Sequence, residues 1–176
     1  MLITEHRKEV VIIAKTNRCV VRNQANRRGS FSVREKHNER ENECYWNGDI
    51  LPERSHLNVH FKSVSTLPNG EARTYEQEFN RMVDDGAISL RGLKPDAKLF
   101  DELVFDVNSA YFENNGGYEY ARQFFADAYN LAVKEAGGEE YVLSAVLHAD
   151  EKNKALSDQL GYDAFHYPIS PAFAYK

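Results

Sequence analysis

The chain has 176 residues, 42% hydrophobic and 28% charged, with 22 Lys/Arg against 27 Asp/Glu and a formal net charge of −5. That is material for one globular domain with a real core, and it excludes fibrous, low-complexity and disulfide-framed classes. Cys19 and Cys44 are too few for a disulfide framework and match no zinc spacing. No stretch reaches the roughly 18 continuous apolar residues of a membrane span, and "VVIIA" at Val10 to Ala14 is too short for a signal segment, so a cytoplasmic setting is expected.

Net charge alone argues against a nucleic-acid partner, but its distribution is uneven. Residues 1–40 hold ten Lys/Arg against four Glu, and the remainder is correspondingly acidic. A basic arm on an acidic body suits local phosphate contact, because only nearby charges escape screening. A solvated basic loop fits the same charge pattern.

In chain order, "EVVIIAK" and "CVVR" are β-branched runs predicting one or two strands, and "NQANRRGS" reads as loop. "HLNVHFK" alternates, with Leu57, Val59 and Phe61 on one side and His56, Asn58 and His60 on the other, as in a half-buried strand. "TYEQEFNRMVDDG" predicts a helix stopped by Gly86, and "LVFDV" predicts another strand. The clearest helix is "GYEYARQFFADAYNLAVKEAGG", where Ala121, Phe125, Ala128 and Ala132 recur at helical spacing beside Phe124 and Leu131 before Gly137. "EYVLSAVLH" then returns as a strand that carries His148 to its end. The pattern predicts one mixed unit, a sheet whose apolar face is covered by helices.

Three constellations could carry chemistry. "REKHNERENECYWNGDI" puts His37, Asn38 and Arg40 in one polar window; imidazole, amide and guanidinium suit phosphoryl transfer, and they equally suit an exposed helix end. "HADE" offers His148, Asp150 and Glu151 to a divalent cation, or simply a strand-end histidine bonded to a carboxylate. "CYWNGDI" places Tyr45 and Trp46 beside Asn47 and Asp49, able to stack on unpaired bases or to pack a turn on the core.

Taken in order, the pieces resemble one family. "GSFSVREKHNERENECYWNGDILPERSHLNVHFK" from Gly29 to Lys62 is similar to the opening motif of the MobV (Pre/Mob) plasmid mobilisation and recombination proteins: HNER, an aromatic with Asn-x-Asp-Ile, then Arg-Ser-x-Leu-Asn. "YVLSAVLHADE" resembles the strand leading into that family's His-x-Asp-Glu segment. The likeness runs from about residue 20 to 167, leaving 1–18 as an extension before a domain over 19–176. It implies an α+β relaxase fold, a mainly antiparallel sheet flanked by helices in a single domain.

The resemblance also implies a function. Such relaxases bind a hairpin and adjoining single strand at a plasmid transfer origin, cut one strand and hold its 5′ end covalently before rejoining it. The attacking histidine of the motif falls on His37, with Asn38 and Arg40 beside it, and a phosphoramidate would result. Val59 stands where some relatives carry Tyr, and Tyr45 is a minor alternative nucleophile. DNA contacts are expected from Arg22, Arg27, Arg28, Arg34, Lys36, Tyr45, Asn47, Asp49 and Arg54.

For the cation, Mn or Mg, the family uses the histidine of His-x-Asp-Glu and a later His-x-His. Here His148 remains, while Pro168 and Ser170 fall on the other two positions. His166, with Asp150, Glu151 or Asp163, is the expected substitute. The change of composition after Tyr167 reads as a truncation or frameshift that removes the last strands and exposes a sheet edge. A nicking enzyme is therefore expected, with a catalytically impaired DNA-binding remnant as the alternative and a small α/β interaction protein as a third reading. Oligomeric state and the origin recognised are not legible.

Overall fold

In the computed structural model, residues 18–42, Tyr45 and residues 48–175 are described. The predicted "EVVIIAK" strand, Cys44, Trp46 and Asn47 lie outside them. Strand β1 (Cys19–Arg27) is followed by α1 (Phe31–Asn38), β2 (Val59–Lys62), α2 (Tyr75–Asp84), β3 (Lys98–Val107), α3 (Ser109–Asn114) and α4 (Gly117–Ala136). Next come β4 (Val142–Leu147), β5 (Glu151–Lys152), α5 (Lys154–Leu160), β6 (Phe165–His166) and β7 (Ile169–Ala174).

Five strands form one sheet in the order β1-β3-β7-β4-β2, and β5 pairs with β6 in a small second sheet. Every pairing is antiparallel. The expected α+β architecture is therefore present. No helix among the described residues is long and apolar enough to cross a membrane.

Alternation along the strands divides the two faces. One face packs under α4, where Phe112, Phe125, Tyr129, Leu147, Ile169 and Phe173 share a core. The opposite face is covered at one end by α1 and α2 through Phe31, Tyr75, Phe79, Met82, Phe100 and Leu143. Each such side chain, fully buried, contributes about 1.5–3 kcal/mol. Phe31 is central, its ring 4.7 Å from that of Phe100 and 5.2 Å from that of Phe79. It clamps the start of α1 onto the sheet, and the other end of the helix, bearing His37, projects over the uncovered part.

Helix signals in the sequence hold. Thr74 and Gln77 form a reciprocal capping box at the start of α2. Gly137 ends α4 in the left-handed region at φ 95°. Leu131, although in phase with the apolar stripe of α4, is 59% exposed and lines an apolar groove with Leu103, Phe105 and Ala128.

Three expectations need correction. Asn23 to Arg27, read as loop, continue β1, because an edge strand facing solvent and a polar cavity has no use for apolar alternation. The strand read as "HLNVHFK" begins only at Val59, since Pro52–Leu57 form a 3₁₀ turn. Most consequential, the segment after Tyr167, read as lacking a strand, forms one: Ile169–Ala174 is a fully buried central strand between β3 and β4. The sheet edges are β1 and β2 instead. Pro171 sits in β7 without breaking it, because the β3–β7 pairing runs from Phe100↔Ala174 to Glu102↔Ala172 and resumes only at Phe105↔Ile169. Its missing N–H falls within that interruption.

Candidate functional site

The uncovered part of the sheet forms the floor of a cavity of about 560 Å³. β1 and β3 pair Arg22 with Val104 and Gln24 with Glu102, so these side chains share the cavity face. On the same face β4 and β7 bring up His148, Pro168 and Ser170: Ser170 is opposite Val146, and the His148 N–H donates to the Pro168 carbonyl at 2.9 Å. His37 enters from α1, and Glu151 and His166 from the β5–β6 pair.

The His37 ring lies 5.7 Å from that of His148 and 6.5 Å from that of Tyr45, edge-on to both. Its nitrogens take no hydrogen bond from the described residues. Burial, then the Arg40 charge, lowers its pKa below the ordinary value against the opposing pull of Glu151 and Glu102. Near neutral pH the ring is thus held in its unprotonated, nucleophilic form. His148 is 1% exposed, and both its ring nitrogens are buried without a partner. Burial drives its pKa well down, with Arg40 acting the same way.

Beside this open chemistry lies a saturated knot. Arg40 stands in the left-handed region at φ 58°, a conformation that costs a non-glycine residue about 1–2 kcal/mol. Its guanidinium holds Asp150 through Nε at 2.9 Å and Nη2 at 2.6 Å, and reaches Glu151 at 2.8 Å. Asp150 is fully buried and also accepts from Ser55 Oγ at 2.7 Å and Asn58 Nδ2 at 2.9 Å. Burial works to raise the Asp150 pKa, but the hydrogen bonds from Arg40, Ser55 and Asn58 outweigh it and hold the carboxyl down at about 2. Asn58 Oδ1 accepts from the Ala149 N–H at 2.7 Å, closing the knot. The Arg-Ser-x-Leu-Asn and His-x-Asp-Glu segments thus fold onto each other.

The remaining expected residues divide. Arg22, Arg34, Tyr45 and Asp49 line the cavity. Arg34 is held by Glu102 at 3.1 Å and donates to Asn26 Oδ1 at 3.3 Å; Asn38 donates to Glu102 at 3.3 Å and leaves its own Oδ1 buried and unpartnered. Tyr45 lies under Arg40, 5.6 Å from its guanidinium, and Asp49 is paired with Lys154. Arg54 turns inward, donating to the Ala149 carbonyl with its guanidinium 3.6 Å over Phe165. Arg27, Arg28 and Lys36 are exposed outside the cavity, Arg28 paired with Glu76 at 2.6 Å.

A cation would have to draw its donors from this same cavity. Among the described residues no three His, Cys, Asp or Glu side chains gather in a way that could hold a metal ion. His148 presents nitrogens, but Pro168 has no donor, Ser170 only a hydroxyl, and Asp150 faces its four hydrogen bonds rather than the cavity. Asp163 is exposed and paired with Lys152. Sequence reasoning passed over Ser55, Glu102, Ser109 and Asn153. Only Ser55 had a signal, its place in Arg-Ser-x-Leu-Asn; the others meet the site across distances that no local pattern encodes.

A sheet of this order with an imidazole-lined cavity at its strand ends defines the relaxase class of fold. It is similar to the Mn-bound relaxase domain of MobM solved with pMV158 origin-of-transfer DNA, with a TM-score of 0.67 and 28% identity, over 89% of this chain and 69% of that one. The family model described as plasmid recombination enzyme (Mob_Pre) matches residues 15–165, and the chain belongs to that family, the MobV relaxases. A plasmid recombination enzyme from Streptococcus agalactiae is 33% identical over 132 residues, and one from a Bacillus species is 32% identical over 116. These cover 75% and 66% of this chain but 25% and 26% of the relatives, so the chain spans about a quarter of the length of the curated proteins it matches.

Proposed function

We propose that this chain is a DNA-nicking relaxase domain whose nucleophile is His37. The observation that carries the reading is the free, neutral imidazole of His37 at the wall of a cavity lined by Arg22 and Arg34, in a fold whose solved relative is bound to origin DNA. A ring nitrogen attacks the scissile phosphorus, the P–N bond forms, and the P–O3′ bond breaks with its electron pair on O3′. The departing 3′ oxygen takes up a proton as the ring gives one to solvent. The downstream portion of the strand is left on His37 through its new 5′ phosphate as a phosphoramidate, and attack by the 3′ hydroxyl of the released portion reverses the step. Arg22 and Arg34 hold phosphate oxygens at the cavity, while exposed Arg27 and Lys36 extend the basic track. Arg40 and Asp150 set the end of α1, and with it the aim of His37, rather than touching the strand.

The MobM domain is Mn-bound, but we infer that this chain, with Pro168 and Ser170 beside His148, does not build a comparable centre. That observation also favours the second reading, a domain that binds origin DNA and does not cut it. Incubation with labelled single-stranded origin DNA, followed by denaturing electrophoresis, separates the two. A protein–DNA adduct that survives denaturation and vanishes in His37→Ala supports nicking; retention on native gels with no adduct supports binding alone.

A further inference from the structure

His166 belongs to neither the nucleophile nor the saturated knot, yet it lines the cavity and is held by a relay that fixes where its proton sits. The relay begins at Asn153. Its Oδ1 accepts from the Leu156 N–H at 3.0 Å as the cap of α5, which orients the amide. The Nδ2 group therefore donates, and it reaches Ser109 Oγ at 3.1 Å. Ser109 is 1% exposed, so its hydroxyl is out of reach of solvent, and it lies 2.9 Å from His166 Nδ1. With its oxygen accepting from Asn153, the hydroxyl has the imidazole as the one described acceptor for its own proton. Nδ1 of the neutral ring is thus the acceptor and Nε2 carries the hydrogen.

We propose that His166 donates from Nε2 to the departing 3′ oxygen of the scissile phosphate, and that Ser109 and Asn153 are positioning residues that select this tautomer. The proposal rests on His37 being the nucleophile. In an in-line displacement the leaving oxygen faces away from the attacking nitrogen, so its donor must come from a wall that the nucleophile does not occupy. His37 descends from α1, whereas His166 comes from the β5–β6 pair beyond the strand ends. Charge grows on O3′ as the P–O3′ bond breaks, and a donor already held in place stabilises it without reorganising. The oxygen finally takes its proton from solvent, and His166 leaves the step unchanged.

The test uses the whole chain and a synthetic single strand carrying the pMV158 origin of transfer, the DNA bound by the solved relative, extended through the cleavage point. One version of the strand is ordinary, and the other carries sulfur in place of the bridging 3′ oxygen. A thiolate leaves as a stable anion and needs no donor. His166→Ala is expected to slow adduct formation on the oxygen strand by about a hundredfold and to leave the sulfur strand nearly unaffected, with His166→Gln recovering part of the loss. An equal loss on both strands overturns the proposal while leaving His37 as nucleophile. A wild-type protein that forms no adduct with either strand overturns both. Ring ¹⁵N NMR supplies a readout that needs no cleavage: the Nε2–H tautomer is expected in the wild type, lost in Ser109→Ala and kept in Ser109→Thr. The Nδ1–H tautomer in the wild type would also overturn the proposal.

Discussion

Asp150 and His148 are two residues apart, both almost wholly buried, and opposite in every other respect. The carboxylate takes four hydrogen bonds from Arg40, Ser55 and Asn58, while the imidazole takes none. Buried polar groups in folded proteins are ordinarily paired, because an unpaired one forfeits its hydration without return. The saturated group is therefore architecture, joining α1 to the end of β4. The unsatisfied one is what the proposed function leaves open to a bound strand.

The largest effect should come from completing what His148 lacks. On the floor, position 168 is opposite His148 and position 170 is opposite Val146, so side chains there stand within reach of one another across the strands. The double variant Pro168→His/Ser170→His is expected to bind one Mn²⁺ per chain, read by electron paramagnetic resonance or calorimetry, where the wild type gives no saturable signal. Saturable wild-type binding abolished by His148→Leu would break the comparison.

Cutting the knot comes next. Arg40→Ala leaves Asp150 charged, buried and missing its guanidinium, a change worth about 3–5 kcal/mol. His148→Leu removes only unpartnered nitrogens and is expected to leave stability unchanged or raised. Thermal unfolding of the two variants reads the contrast directly. An Arg40→Ala protein as stable as the wild type would mean that the knot is not structural.

These partnerships show how far the sequence could be read. His37, Asn38, Arg40 and His148 stand in contiguous motifs, and α2 and α4 announce themselves by caps and periodicity. What joins them is not local: Ser55 and Asn58 meet Asp150 across more than ninety residues, a register that exists only once β2 has paired with β4. β7 was not legible because the composition changes after Tyr167 and Pro171 stands inside the strand, tolerated only through the interrupted β3 pairing. β1 ran past its apolar start because polar residues suit an edge.

The knot should also set an acid limit. The Asp150 pKa is about 2 when folded, against an ordinary 3.8. Because the folded value is depressed, the stabilisation is complete above about pH 4 and is lost as pH falls from there towards 2, amounting to about 2 kcal/mol. Denaturant unfolding between pH 5 and pH 2 should show this step in the wild type and not in Asp150→Asn. An identical acid profile in the two would mean that other carboxylates govern it.

The smallest effect concerns the cavity rim and separates Arg22 from Arg54. Arg22 lines the cavity from the edge strand, whereas Arg54 stacks on Phe165 and donates to a backbone carbonyl. If strand phosphates meet the cavity, each contacting cation contributes close to one ion to the salt dependence of binding. Arg22→Ala should therefore flatten the slope of log affinity against log salt by about 0.7 for single-stranded DNA. Arg54→Ala should leave that slope as it was and lower thermal stability instead, because the group it removes faces inward. Equal slopes for wild type and Arg22→Ala would remove Arg22 from the DNA path and leave Arg34 as the cavity's remaining arginine.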